Sequence, residues 1–135
     1  PTIRDVQDVY VYTAEEIAAL AWHDPAAAQV LKWPGREDVE GDELIALLRN
    51  RQSVLKFAWR PFMHNPKLLR RLTRVRVPTH LFWGESDRVA TPDYGRALQR
   101  AIPGAGFTAI PGSGHYPQWE QPEALAQAVI EFLES

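Results

Sequence analysis

The chain contains no cysteine among its 135 residues, so disulfide bonds and thiolate chemistry are excluded. No apolar run approaches the ~20 residues that a membrane-spanning helix needs, and no signal-peptide pattern is visible at the start. Neither sign of charge predominates, because 15 basic and 17 acidic residues leave a net charge of −2. We therefore expect a cytoplasmic protein that binds neither a membrane nor nucleic acid.

Histidine is also sparse, and its spacing disfavours a metal site. No two of the 4 His residues lie two or four positions apart, as zinc ligands on one element commonly do. His80 falls within a strand-like run, which favours a sheet-facing residue with its own hydrogen-bond partner. His23 and His64 lie at predicted helix boundaries, where we expect capping or surface groups. His115 remains as the candidate for chemistry.

The pattern of predicted secondary structure changes near residue 74. Residues 1–74 have the pattern of helices joined by irregular segments. Thr13-Ala14-Glu15-Glu16 is a capping box, which predicts a helix beginning directly after Thr13. Asp42 and Asn65 are candidate caps of two later helices. We therefore expect a helical region that ends before the strands begin.

Residues 75–135 instead alternate between strand and helix. The predicted elements are a strand at 77–83, a helix opened by Thr91-Pro92, a strand at 107–110 and a helix opened by Gln121-Pro122. Two strands separated by a helix predict a parallel pair joined by a right-handed crossover. Parallel sheets normally have more than two strands and carry helices on both faces. This region is therefore expected to belong to a larger sheet.

A loop with reactive side chains follows each predicted strand. The loops are Gly84-Glu85-Ser86-Asp87-Arg88 and Gly112-Ser113-Gly114-His115-Tyr116-Pro117. Parallel strands place their carboxyl ends at one edge of the sheet, where open α/β sheets have their sites. An imidazole exchanges protons near neutral pH, and a nearby carboxylate fixes its tautomer. Asp87 and His115 are thus the candidate acid and base of a catalytic triad; the alternatives are a turn cap for Asp87 and an ordinary loop residue for His115.

These two loops and their strands resemble a known family. Residues 77–87 and 114–123 are similar to the last two strands of the α/β-hydrolase superfamily, especially to its capped esterases, carbon–carbon bond hydrolases, epoxide hydrolases and haloalkane dehalogenases. Residues 1–74 more loosely resemble the helical cap of those enzymes. The resemblance implies a partial α/β-hydrolase fold, with a cap over 1–74 and the C-terminal part of the core over 75–135. It also implies that Asp87 orients His115, that His115 is the general base, and that no cofactor or metal is needed.

The sequence departs from that family in one respect. It has no Gly-x-Ser-x-Gly, and neither Ser86 nor Ser113 has the strand-to-helix turn that exposes a nucleophile. The resemblance therefore implies the C-terminal part of a hydrolase acting on a small apolar ester or related bond, inactive by itself. A missing N-terminal core segment would supply the nucleophile, either Ser or Asp, and a second copy of the chain is the other partner considered. The alternative is a non-catalytic module that dimerises or completes a sheet with a partner chain.

Aromatic residues are the candidates for substrate contact. Trp59 and Phe62 would belong to the cap, where they either line an apolar pocket or fill the core. Tyr116 and Trp119 are closer to His115 in sequence and have the stronger claim. Glu120 is expected to anchor the loop before the last helix rather than to take part in chemistry.

Overall fold

The computed structural model describes residues 11–26, 40–58, 65 and 67–134. Its elements are helices α1 (Ala14–Ala21), α2 (Gly41–Ala58) and α3 (Leu68–Leu72), strand β1 (His80–Gly84), helix α4 (Pro92–Ala101), strand β2 (Gly106–Ile110), and helices α5 (Pro117–Glu120) and α6 (Pro122–Glu134). The candidates Trp59 and Phe62 lie outside the described residues, as does His64. In the described part of the chain, no helix combines the length and apolar character that crossing a bilayer requires.

Helix α1 begins as its capping box predicts. The hydroxyl of Thr13 accepts from the backbone N–H of Glu16 at 3.2 Å, and the Glu16 carboxylate accepts from the backbone N–H of Thr13 at 2.8 Å. Hydrogen bonds from the backbone and, to a smaller extent, the side chain of Thr13 favour the charged carboxylate and so lower the pKa of Glu16. The helix ends at Ala21, and Trp22 is extended. The proline at position 25 disfavours the helical conformation at Asp24, so the helix has to end before that residue.

The two strands are parallel, which confirms the crossover prediction. Residue pairing runs from His80 opposite Gly106 to Gly84 opposite Ile110. Helix α4 connects the strands and contacts both of them. Gly95 allows this close packing, because a Cβ atom there would lie only 2.7 Å from the Trp83 ring.

The opposite face of the sheet carries His80. Its Nε2 atom lies 2.8 Å from the hydroxyl oxygen of Thr108, which pairs with Phe82 on the neighbouring strand. Its ring stacks on Phe82 with centroids 4.6 Å apart and lies 5.2 Å from the ring of Phe132 on α6. His80 is thus a sheet-facing residue with a partner, as its position in the strand predicts. Helices α4 and α6 cover opposite faces, the arrangement that buried parallel strands require.

Several boundaries differ from the sequence prediction. Strand β1 begins at His80 rather than at residue 77, since its partner strand begins at Gly106 and Pro78 has no N–H to donate. Helix α2 begins at Gly41, so Asp42 lies in its first turn instead of capping it. The carboxamide oxygen of Asn65 accepts from the Lys67 N–H at 2.9 Å, one turn ahead of α3. The short helix α5 is not predicted by the sequence pattern.

Candidate active site

Asp87 lies just beyond the carboxyl end of β1, and its side chain is held by its own loop. The residue is 5% exposed. Its Oδ1 atom accepts hydrogen bonds from the backbone N–H groups of Val89 and Ala90, both at 2.9 Å. Such contacts satisfy a buried carboxylate and fix its orientation. The remaining oxygen, Oδ2, is left to face the second loop.

His115 meets that oxygen. Its Nδ1 atom lies 2.9 Å from Oδ2 of Asp87, although the two residues are 28 positions apart in sequence. The His115 side chain is 38% exposed, so an external group can reach the imidazole while the carboxylate stays buried. When Nδ1–H donates to Asp87, Nε2 carries the lone pair and is the nitrogen that accepts a proton. The structure therefore brings the predicted acid and base into hydrogen-bond contact.

Glycine and serine shape the loop that carries His115. Gly112 has a φ of +66°, the left-handed region that favours glycine, where β2 ends. Gly114 packs against the backbone carbonyl of Ala21, and a Cβ atom would overlap that carbonyl. Ser113 is fully buried and its hydroxyl donates to the Ile110 carbonyl at 3.0 Å. The two glycines thus permit the tight backbone of this loop. Gly112 does so through its φ angle, and Gly114 through its close approach to the Ala21 carbonyl.

The acid and histidine loops also touch each other through the backbone. The Ser86 N–H donates to the Ser113 carbonyl at 2.9 Å, and the Glu85 N–H donates to the Ile110 carbonyl at 3.1 Å. These bonds continue the pairing of β1 and β2 beyond the strand ends. The relative position of Asp87 and His115 is therefore set by the sheet itself.

Helix α1 forms a third part of the site, which the sequence does not reveal. The His115 N–H donates to the Ala21 carbonyl at 2.6 Å. The backbone N–H of Arg88 donates to the Leu20 carbonyl at 3.1 Å. The Arg88 guanidinium donates to the Trp22 carbonyl at 3.2 Å and to the Ala19 carbonyl. Carbonyls at the end of a helix lack helical partners, and a cation there is favoured by the helix dipole. Both loops are consequently fastened to one helix end.

Apolar packing reinforces this junction. Ala21, Trp22 and Val89 are buried together, and Ala18, Leu20 and Tyr116 pack against them. The Tyr116 ring lies 5.3 Å from the Trp22 ring and 5.2 Å from the His115 ring. Burial raises the pKa of the Tyr116 phenol above 10.0, and the negative charge of Asp87 raises it further. Tyr116, which directly precedes α5, thus lies beside His115. Trp119 lies within α5 and is 59% exposed.

Two further polar residues lie at the rim. The His23 Nδ1 atom is 2.8 Å from the hydroxyl of Ser86, next to the candidate acid. Glu120 accepts hydrogen bonds from the backbone of both Gly114 and His23. No cluster of three or more metal-binding side chains occurs among the residues that the structure describes.

The chain is similar in sequence to known proteins. The sequence model of a family described as "Alpha/beta hydrolase family" matches residues 4–128. A segment of 63 residues, 47% of this chain, is 35% identical to the 2-hydroxy-6-oxononadienedioate/2-hydroxy-6-oxononatrienedioate hydrolase of Paraburkholderia phymatum and covers 22% of that enzyme.

Solved structures are similar as well. A thermophilic esterase from Thermogutta terrifontis is 35% identical with a TM-score of 0.50, over 53% of this chain and 26% of the esterase. A bacterial membrane phospholipase A is similar in fold alone, with a TM-score of 0.62 at 19% identity over 88% of this chain and 36% of the phospholipase. The chain therefore spans about a quarter to a third of the length of these proteins. Since the family model covers nearly all of the sequence and the fold agrees, this chain belongs to the α/β-hydrolase family.

Proposed function

We propose that this chain supplies the acid and the base of an α/β-hydrolase triad that cleaves a small apolar ester or a related bond. The observation that carries the proposal is the 2.9 Å contact between His115 Nδ1 and the buried carboxylate of Asp87. A His–carboxylate pair at the carboxyl ends of parallel strands is what this family's chemistry requires. The chain order, acid before histidine, also fits.

The proposed chemistry begins with proton transfer at Nε2 of His115. If the nucleophile is Ser, Nε2 takes the hydroxyl proton as the oxygen attacks, and the resulting imidazolium returns that proton to the leaving group. If the nucleophile is Asp, its carboxylate attacks a carbon that bears a halide or belongs to an epoxide, so the carbon–halogen or carbon–oxygen bond breaks, halide or the epoxide oxygen leaves, and an alkyl ester forms. Nε2 then takes a proton from the water that hydrolyses this ester. In both schemes the charge of Asp87 stabilises the imidazolium.

We propose that the nucleophile comes from a core segment outside these 135 residues. The serines of the two loops are poorly placed for the role. Ser113 is fully buried and bonded to Ile110. Ser86 faces His23 rather than His115, and its backbone N–H is already engaged by Ser113. A nucleophile needs exposure, an adjacent base and free N–H donors for the oxyanion.

The substrate class is inferred from the surroundings of His115. Tyr116 offers apolar area beside the imidazole, as a small apolar ester would require, and the exposed Trp119 is a further candidate contact from α5. Trp59 and Phe62 remain candidate substrate contacts from the cap predicted over residues 1–74. The names of the relatives support ester or carbon–carbon cleavage, since one is an esterase and the other a hydrolase of 2-hydroxy-6-oxononadienedioate.

An esterase assay with p-nitrophenyl acetate tests the proposal. The chain is assayed alone and after fusion behind the nucleophile-bearing core segment of the Thermogutta terrifontis esterase. We expect turnover in the fusion that His115→Ala lowers by about 10²–10⁴-fold, with a loss of similar order for Asp87→Asn. Ser86→Ala and Ser113→Ala are the matched controls and should leave most of the activity. Turnover by the isolated chain that Ser86→Ala abolishes would place the nucleophile on this chain and overturn that part of the proposal.

A second candidate, a non-catalytic module that completes a sheet with a partner, is favoured by exposed apolar surface. Within the described residues the sheet has only two strands, and Val77 and Leu133 are 68% and 75% exposed. Unpaired strand edges and apolar surface favour association. Light scattering on the purified chain discriminates the two. A stable dimer of the purified chain, together with a fusion whose esterase activity does not depend on His115, would favour the module.

A further inference from the structure

Glu120 bridges two segments that are far apart in sequence. At the end of α5, its Oε2 atom accepts from the Gly114 N–H at 2.6 Å. Its Oε1 atom accepts from the His23 N–H, also at 2.6 Å and 97 positions away. Hydrogen bonds to a carboxylate are short and about twice as strong as neutral ones. One side chain therefore links the loop of the candidate base to the chain that leaves α1.

The same two segments are joined at the next residue as well. The His115 N–H donates to the Ala21 carbonyl at 2.6 Å, and Gly114 packs directly on that carbonyl. Residues 21–23, at the end of α1 and directly after it, thus run alongside Gly114 and His115. Glu120 adds to this contact by accepting from the N–H groups of Gly114 and His23.

The position of Glu120 is itself restrained. The Glu120 N–H donates to the Tyr116 carbonyl at 3.1 Å within α5. The next residue, Gln121, donates from its side chain to the Gly112 carbonyl at 3.2 Å. The loop from Gly112 to Tyr116 is therefore held at both ends by the residues that end α5. A loop held in this way keeps its side chains in one orientation.

We infer that Glu120 is a positioning residue, which keeps the His115 imidazole directed at Asp87 by fastening Gly114 to the chain after α1. This inference rests on the Asp87–His115 pair of the proposed function. A carboxylate fits this position because the two N–H groups donate to different oxygens, so both ends of the side chain must accept. A carboxamide has one acceptor, and its NH₂ group would face an N–H donor. Replacing Glu120 by Gln therefore breaks one of the two bonds with almost no change in size.

Nuclear magnetic resonance of the 135-residue chain with ¹⁵N-labelled histidine measures the effect. In the wild-type chain we expect His115 to carry its proton on Nδ1, because Asp87 accepts it. In Glu120→Gln we expect a substantial share of the Nε2–H tautomer and at least about tenfold faster hydrogen exchange at the Gly114 amide. Glu123→Gln removes the same charge from an exposed site on α6 and should change neither readout.

The outcomes separate this inference from the proposed function. A folded Glu120→Gln chain that keeps the Nδ1–H tautomer and slow Gly114 exchange overturns the positioning role alone. A wild-type chain without the Nδ1–H tautomer overturns the Asp87–His115 pair, and with it both proposals. If Glu120→Gln unfolds, Glu120→Asp decides, since it keeps two acceptors on a shorter side chain. We expect this variant to fold with an intermediate tautomer ratio, and a ratio equal to wild type despite faster Gly114 exchange overturns the inference.

Discussion

Gly84, the last residue of β1, lies in direct contact with the carbonyl oxygen of Gly114, and no side chain fits between them. This contact joins the strand that leads to Asp87 with the loop that presents His115. The distance between the two loops is thus limited by backbone atoms, which cannot give way as a flexible side chain can. The close approach of acid and base follows from two residues that have no side chain.

Gly84→Ala should force the two loops apart. The added methyl group overlaps the Gly114 carbonyl, and overpacking of this kind costs about 1–3 kcal/mol. We expect a lower thermal unfolding midpoint together with loss of the Nδ1–H tautomer of His115. Gly104→Ala is the control, since it has a φ of +74° but nothing within 4 Å of the new Cβ. It should cost about 1–2 kcal/mol in backbone strain and leave the tautomer unchanged. A Gly84→Ala chain with normal stability and tautomer would contradict the contact.

Tyr116 should report on the charge of Asp87. The pKa of its phenol lies above 10.0, first because the ring is desolvated and second because Asp87 is negative. The neutral phenol is therefore favoured in the folded chain. The stability that this provides is present below the unfolded pKa of about 10 and is lost as the pH rises through the folded value. Phenolate absorbance during alkaline titration measures the shift, and Tyr116→Phe identifies the transition.

Asp87→Asn gives the corresponding comparison. Without the negative charge, the Tyr116 pKa should fall but stay above 10.0, because burial remains the larger cause. An unchanged transition in this variant would mean that Asp87 does not act on the phenol. A fall of the Tyr116 pKa to the ordinary tyrosine value would mean that burial does not contribute to the shift.

The capping box of α1 should contribute measurably to stability. Thr13→Ala removes the hydroxyl that accepts from Glu16, and loss of such a cap costs about 0.5–2 kcal/mol. Thr91→Ala is a matched control, since Thr91 occupies the N-cap of α4 without a side-chain capping bond. We expect the unfolding midpoint in urea to fall more for Thr13→Ala. Equal losses for the two variants would argue against a contribution from the hydroxyl bond.

Local chemistry explains what was predictable. The cap at Thr13, the proline-led start of α4 and the turn at Gly112 each depend on a few neighbouring residues, so their patterns are visible in the sequence. The pairing of Asp87 with His115 was predictable for a different reason. Parallel strands bring their carboxyl ends together whatever the residues between them are.

Long-range contacts explain what was not predictable. Glu120 binds an N–H 97 positions away, and the Arg88 guanidinium donates to the Trp22 carbonyl 66 positions away. Backbone N–H and C=O groups are identical along the chain, so no residue type marks which of them a side chain will reach. Helix α5 was missed because its four residues are too few for a helical pattern to be visible.

The sequence by itself determined the strand–helix–strand order and the nearness of the two loops, because these follow from local propensity and from the topology of parallel strands. Its resemblance to the α/β-hydrolases indicated the family and the roles proposed for Asp87 and His115. Only the tertiary structure decided how the pair is held. There, the end of α1 accepts hydrogen bonds from both loops, and Glu120 fastens the His115 loop to the chain that follows α1. The physical reason is that a helix end leaves carbonyl groups without partners, and the packed fold alone decides which distant groups satisfy them.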